Sequence, residues 1–269
     1  MRQVVASLSV SLVLMGFKLS AIEGLVQVNQ RRTELKAALA LLQPKVEDED
    51  LAMFLADVGH DTKQRQARIA EMALPSGRMY STMENQALET CSGMLELFDS
   101  SSDGVTQLTR SASIMRLETK HDPAHRRLVD RVEATIRADP RDVVAYILNS
   151  DSRFIQSVNA ANANLVRFEC LASVNAHHTV GYGRFKARGV SDRIFFNSTI
   201  AKQVAEEPLT FEVAVVPRPR HERHEKIGPK DEAGAIRGEV SRSFRCTEVT
   251  PGVTKLESSG SVDLKGVVP

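Results

Sequence analysis

From about residue 126 the apolar residues of this 269-residue chain stop recurring every three or four positions and begin to alternate. That change of period constrains the fold more than any single motif, because successive strand side chains point to opposite faces. In "RRLVDRVEATIRA", Val129, Arg131, Glu133 and Thr135 alternate against Asp130, Val132, Ala134 and Ile136, a strand with one apolar face. "DPRDVVAYILNSD" reads as a helix, with Asp139 at the N-cap, Pro140 at the first helical position and Val143, Val144 and Ile147 on one side. Segments rich in β-formers follow: "NLVRFECLASV", "HHTVGYGRFKA", "DRIFFNSTIAKQVA", "TFEVAVVP", "AIRGEVSRSFRCTEV" and "TKLESSGSVDL". The last two join through a tight turn at Thr-Pro-Gly, 250 to 252. A strand, a helix and then a run of short-turned strands define an α+β chain with a mostly antiparallel sheet.

Such a sheet must lay its apolar face on something. The helix at 140 to 149 covers only part of it, and the sequence stops at Pro269 without a helix after the last strand. Three arrangements answer the difficulty: N-terminal helices do the covering, the chain is a fragment, or a ligand fills a cavity under the sheet.

Upstream the period is helical. Leu8, Leu12, Met15, Leu19, Ile22 and Val26 are spaced by threes and fours, and Leu35, Leu39 and Leu42 resume the stripe, so residues 1–43 read as one long helix stopped by Pro44. Within it, Val4 to Phe17 carries no charge, and Val4 to Val26 carries only Lys18 and Glu23. A bilayer span needs about 20 apolar residues. The segment is therefore a candidate for membrane association, and the protein is expected inside the cell, cytoplasmic or membrane-associated through this helix. Residues 44–118 read as a helical accessory region. "TMENQALETCSGMLELF" offers Met83, Leu88, Cys91, Met94, Leu95 and Leu97/Phe98 at helical spacing before the loop "DSSSDG". Arg110-Ser-Ala-Ser113 fits a basophilic kinase site or a plain polar linker.

Several function classes fall away. A net charge of +1 gives no reason to expect nucleic acid. Cys91, Cys170 and Cys246 form no CxxC pair and read as reduced thiols. "HERHE" places His221 and His224 three apart in a Pro-rich loop, the wrong spacing for a zincin, and His177-His178 lie at a strand start on opposite faces. No nucleophile elbow, Walker A or dinucleotide fingerprint is present. No metal, cofactor or catalytic constellation is therefore expected.

The second half resembles the START family, the steroidogenic-acute-regulatory-related lipid-transfer domains, in a divergent protist or algal form. "VDRVEATIRADPRDVVAYIL" is similar to the family's opening strand and early helix. "FKARGVSDRIFFNSTIAK", with Ser191-Asp192-Arg193, is similar to its "sdRdf" segment. "GAIRGEVSRSFRCTEVTPGVTKLESSGSVDLKGVVP" looks like its final hairpin, with Asp263, Gly266 and Pro269 at matching places. The resemblance implies a helix-grip fold over 119–269, in which a curved antiparallel sheet wraps a C-terminal helix and one lipid or sterol occupies the tunnel between them. In the family that helix follows the "G.iP" turn, so the resemblance implies a domain truncated at its C-terminus.

It also implies where binding would reside. Val166, Phe168, Tyr182, Phe195, Phe211, Val213 and Phe244 lie on alternations expected to face the tunnel or the core. Arg193, beside Asp192, is expected to make a structural ion pair or to meet a head group. "PRPRHERHEKIGPKDEAG" carries five Arg and Lys between Arg218 and Lys230. By resemblance it is the loop that gates the tunnel mouth, with Arg218, Arg220, His221 and Lys226 available to anionic head groups. The expected function is non-catalytic binding of a lipid or sterol for transfer or sensing, with a membrane surface as a further partner. Alternatives are a ligand-sensing module of a larger membrane-attached signalling protein, and an enzyme of the same superfamily.

Overall fold

The computed structural model describes residues 80–100, 104–107, 114–125, 127–148, 165–186, 191–219 and 224–265. The helix expected over 1–43, the rest of the segment up to 79 and the kinase-type motif at Arg110–Ser113 lie outside them. Helix α1 (Thr82–Asp99) comes first, then strands β1 (Thr106–Gln107), β2 (Ile114–Asp122) and β3 (Arg127–Ile136), and helix α2 (Pro140–Leu148). Strands β4 (Leu165–Asn175), β5 (His178–Phe185), β6 (Asp192–Glu206) and β7 (Leu209–Pro217) follow. A one-turn helix α3 (Pro229–Glu232) precedes β8 (Ala235–Arg237), β9 (Glu239–Thr250) and β10 (Val253–Asp263).

All ten strands form one curved, unclosed sheet in the order β1-β2-β3-β10-β9-β7-β6-β5-β4, with β8 beside β6. Every pairing is antiparallel except β6 with β8. β7 accompanies β6 only to the pair Asn197↔Pro217, and β8 then pairs with Asp192, Arg193 and Ile194. Strand β8 thus takes the lane that β7 leaves, and the chain between them makes an excursion over one face. The expected turn joins β9 to β10, with Gly252 at φ +75, a conformation only glycine adopts without strain.

The pleat divides the core. On one face, helix α2 lays Val143, Val144 and Leu148 against Ile136, Phe185, Phe195, Phe211, Val213, Phe244 and Leu256. On the other, α1 lays Ala87, Leu88, Cys91, Met94 and Phe98 against Val129, Ile200 and Ala214. Each such side chain fully buried contributes about 1.5–3 kcal/mol. A third cluster, Leu171, Val180, Tyr182 and Ile194, lies on the α1 face under Ile227 of the excursion.

The start of α1 is written locally. Ser81 Oγ accepts from the Glu84 amide (3.3 Å), and Glu84 Oε2 accepts from the Ser81 amide (2.8 Å), a capping box. At its other end, Lys120 Nζ donates to the Leu97 carbonyl (2.9 Å) and Ser259 Oγ to that of Met94 (2.9 Å). The first bond satisfies a carbonyl that the last turn leaves without an intrahelical partner, and the second ties α1 to β10. Residues 106–107 and 114–118, read from sequence as part of a helical region, belong to the sheet, in β1 and the first half of β2. The strand positions of β2 that face α1 are Glu118, Lys120 and Asp122, whose polarity hides the alternation although all three are buried.

Candidate functional site

Of the residues that sequence alternation assigns to a tunnel, five share the α2 face. Phe195, Phe211, Val213 and Phe244 are members of the apolar cluster under α2, and Phe168 packs against it. Glycines make room for this aromatic surface. A Cβ on Gly183 would lie 2.8 Å from the Phe185 ring and 3.3 Å from that of Phe168, and one on Gly238 would lie 2.7 Å from Phe195.

Of the other three, Val166 and Tyr182 lie elsewhere, and Arg193 stands at the end of the α2 face beside Phe185. Val166 is 46% exposed, because the β4–β5 register slips between Leu165 and Arg167 and hands the inward position to Leu165. Tyr182 faces α1: its hydroxyl donates to the Asp231 carbonyl (2.9 Å), and burial raises its pKa. Arg193 is 1% exposed and meets no carboxylate among the described contacts. It donates to the carbonyls of Ser191, Leu264 (2.8 Å) and Lys265 (3.4 Å), clasping the chain just past β10. Asp192 is taken instead by Arg184 (2.9 Å).

The basic excursion between β7 and β8 also packs on the α1 face. Lys226 Nζ donates to the Leu171 carbonyl (2.9 Å), and Arg218 Nη1 donates to Ser198 Oγ (3.1 Å) while its guanidinium lies 5.7 Å from the Phe196 ring centroid. Arg184 donates to the carbonyls of Asp231 and Ala233, and Arg167 pairs with Asp231, so the edge of the sheet holds α3 down. Arg220 and His221 lie outside the described residues.

Where α1 and this excursion meet, a polar cluster is buried. Glu84 Oε1 accepts from Asn175 Nδ2 (3.1 Å) and His178 Nδ1 (2.9 Å), and lies 3.4 Å from His177 Nε2. Both histidines therefore converge on one carboxylate: His177 occupies the β4–β5 turn rather than a strand face. Burial works to raise the Glu84 pKa. The hydrogen bonds from Ser81, Asn175 and His178 outweigh it and bring the value to about 2. Burial holds the His178 pKa down, with Arg218 adding to the effect and Glu84 opposing it. With Nδ1–H given to Glu84, neutral His178 accepts at Nε2 from Ser198 Oγ (3.0 Å).

Ser198, His178 and Glu84 thus stand in the order of a serine–histidine–acid relay. Ser198 is only 2% exposed and its oxygen also accepts from Arg218, so no substrate carbonyl reaches it and its nucleophilicity is damped. What the cluster does is fasten α1 to β5 and β6. Two of the thiols are poor nucleophiles as well, because burial pushes Cys91 and Cys246 up to about 12.

Among the described residues, the α2 face carries one carboxylate–guanidinium pair. Arg242 on β9 and Asp130 on β3 flank β10 and are both in register with Gly260. Arg242 Nη1 and Nη2 donate to Asp130 Oδ1 (2.9 Å) and Oδ2 (3.0 Å), and Nη1 also reaches Ser258 Oγ (3.1 Å). A Cβ on Gly260 would lie 3.0 Å from the guanidinium carbon and 2.8 Å from the Ser241 carbonyl, so the guanidinium lies flat across the strand only over glycine. Sequence reading passes over this pair. Its signal is a charge in an apolar register: Asp130 ahead of Val132, Ala134 and Ile136, and Arg242 between Val240 and Phe244.

No family model matches the chain, and no curated protein matches it. Among solved structures the fold is START-like. The chain is similar to human StAR-related lipid transfer protein 5 at 16% identity and a TM-score of 0.53, covering 71% of this chain and 86% of that one. It is similar to human STARD10 at 12% identity and a TM-score of 0.51, covering 74% of each. At such identities the likeness is one of fold.

Proposed function

We propose that this chain binds a single lipid or sterol against the α2 face of its sheet, as a non-catalytic module for lipid transfer or lipid sensing. The observation that carries the reading is the sorting of the two faces. The face under α2 is lined by Phe168, Phe195, Phe211, Val213 and Phe244, in a fold shared with a protein named for lipid transfer. An apolar ligand seated there would gain about 25 cal/mol per Å² removed from water. In this reading the binding unit extends upstream of residue 119, because α1, β1 and β2 belong to the sheet and its far-side cover. Arg218 and Lys226 are engaged on the α1 face, so a gate over the α2 face would come from other residues. No helix among the described residues is long and apolar enough to cross a membrane. Attachment to a membrane surface would fall to residues 4–26, outside them.

Native mass spectrometry of the full chain tests the reading. The expected result is a stoichiometric lipid-sized mass that organic extraction removes and that incubation with phosphatidylcholine vesicles containing sterol restores. A chain that stays lipid-free after that incubation would overturn it.

A further inference from the structure

The α2 face holds a buried polar atom that the fold leaves without a partner. The β5–β6 register runs from His178↔Ile200 to Phe185↔Arg193 without a slip, so the side chains of β6 alternate strictly between the faces. Phe195 belongs to the cluster under α2, Phe196 packs into the one on the α1 face, and Ser198 meets His178 on that same α1 side. Asn197 therefore stands on the α2 face, next to Phe195. Its Oδ1 is buried and accepts no hydrogen bond among the described residues. Its register partners are Gly181 on β5, which has no side chain to offer, and Pro217 on β7.

Gly181 differs from the glycines that make room for rings. A Cβ on Gly183 would strike the Phe185 ring at 2.8 Å, whereas one on Gly181 would meet only the Glu169 carbonyl oxygen, at 3.8 Å. The space over Gly181 is thus left open, flanked by Asn197 on β6 and Cys170 on β4. A buried acceptor without a donor destabilises the fold, and an apolar side chain in its place would not. Stability alone therefore does not account for Asn197. The carboxamide sets two N–H donors beside the lone acceptor in one plane, so its complement carries a donor and an acceptor on one carbon, facing the same way. A single hydroxyl presents one oxygen where two atoms side by side are needed. A trans secondary amide turns its N–H and C=O to opposite sides. An ionised carboxylate brings no donor at all. A primary amide, or a carboxyl group that keeps its proton, closes two parallel hydrogen bonds.

We propose that Asn197, beside the open space at Gly181, is the polar seat of the lipid site and selects a lipid ending in a primary carboxamide or a protonated carboxyl group, held by paired hydrogen bonds. The assignment rests on the lipid-binding reading above and adds the class of head group. Phe195 is next on the same face of β6, and Phe168 is in register with Gly183, two residues from Gly181, so a head group held here places its hydrocarbon body along the aromatic surface. The guanidinium groups of Arg242 and Arg193 are already engaged, one by Asp130 and the other by the carbonyls of Ser191, Leu264 and Lys265, so it is the neutral form of the head group that fits.

The test compares matched fluorescent probes on the full chain: the primary amide of cis-parinaric acid beside its N,N-dimethyl amide, and the acid beside its methyl ester. The expected result is tighter binding of the primary amide than of the dimethyl amide, by about 10-fold, the effect of one hydrogen bond to a buried acceptor. An acid that also outdoes its ester adds fatty acids to the class, and one that does not restricts it to amides. In Asn197→Leu all the probes still bind and the amide preference disappears. Gly181→Ala, whose methyl group meets one neighbour at ordinary contact distance, keeps the urea midpoint of the wild type and reduces the preference. Equal binding of the two amides by the wild type overturns the proposal and leaves lipid binding standing, whatever the fate of the variants. So does an amide preference that survives Asn197→Leu, or a preference for the acid over its ester with none between the amides, which would mark a charged seat. A wild type that takes up none of the probes overturns the proposal too, and the vesicle incubation followed by native mass spectrometry then shows whether the lipid-binding reading falls with it.

Discussion

The two faces of this sheet are buried by opposite means. Under α2 the contacts are between Phe, Val, Leu and Ile side chains, which attract without direction and in proportion to area. Under α1 an apolar stripe is present too, but it is bordered by directional groups: Glu84 with His178 and Asn175 at one end, Lys120, Ser259 and the Arg131–Asp99 pair (2.8 Å) at the other. Arg131 also meets Glu133 and Glu257, at 2.9 and 3.0 Å, so the α1 face holds a charge network where the α2 face holds the closed pair of Asp130 and Arg242. A directional border accepts one partner in one register. A non-directional surface accepts any apolar body of suitable shape, which is what the proposed lipid-binding reading asks of the α2 face.

The comparison breaks most severely on the apolar side. Phe211, 1% exposed and central to the α2 cluster, loses its whole ring on substitution by Ala. The expected cost is about 3–5 kcal/mol from lost transfer and the cavity left behind. Urea unfolding of Phe211→Ala checks it, and a loss below about 1 kcal/mol would mean that the α2 face is not packed as a core. On the other face, Glu84→Ala strands the donors of Asn175 and His178 in a buried site. Each unsatisfied group costs about 1–3 kcal/mol, less where water can enter. The directional account of this face also requires α1 to loosen first, read as faster amide exchange over 87–98 than over β9 and β10.

A smaller effect sharpens the contrast where the Asp130–Arg242 pair enters the apolar face. Gly260→Ala sets a methyl group 2.8 Å from the Ser241 carbonyl and 3.0 Å from the Arg242 guanidinium. Overpacking of this kind costs about 1–3 kcal/mol. Since the side chain that must move is Arg242, the expected loss falls with the pair removed: Asp130→Leu/Arg242→Met should tolerate alanine at 260 better than the wild type does. Additive losses in the triple variant would show that the backbone contact at Ser241, not the guanidinium, sets the glycine requirement.

How much of this was legible in the sequence follows from the same physics. Alternation in Phe211, Val213 and Val215 places β7 correctly because one face of that strand is wholly apolar, and the turn at Pro251-Gly252 carries its own signature. Alternation cannot say which face is which when both are buried. Tyr182 and Phe185 lie on opposite faces of β5, each in an apolar cluster, and nothing local ranks one as inward. A register slip is equally silent, which is how Val166 and Leu165 exchange roles. The basic excursion reads as a mobile gate because its partners, the carbonyl of Leu171 and the hydroxyl of Ser198, come from distant strands. Ser81-x-x-Glu84 was readable as a capping box, but the second use of Glu84, binding His178, exists only once the helix docks.

The mildest test uses pH and sets the faces against each other without mutation. On the α1 face the folded pKa of His178 lies below its ordinary value, so the unfolded chain takes up a proton that the folded chain resists. Stability from this group is intact above about pH 6.5 and declines as the pH falls through the folded value, with a slope that cannot exceed one proton, about 1.4 kcal/mol per pH unit. Glu84 acts in the same direction lower down: its stabilisation is full above its ordinary 4.5 and is lost on the way to about 2. Both losses belong to the docking of α1. Acidification from pH 7.5 to 5.5 is therefore expected to lower the unfolding free energy modestly, and to do so less in His178→Gln, which keeps polar contacts but has no proton to take up. It should also raise exchange over α1 before it affects Phe211 or Phe244, whose surroundings under α2 are apolar. Exchange that rises evenly on both faces, or a His178→Gln chain with the wild-type pH dependence, would show that the buried histidine is not what ties α1 to the sheet.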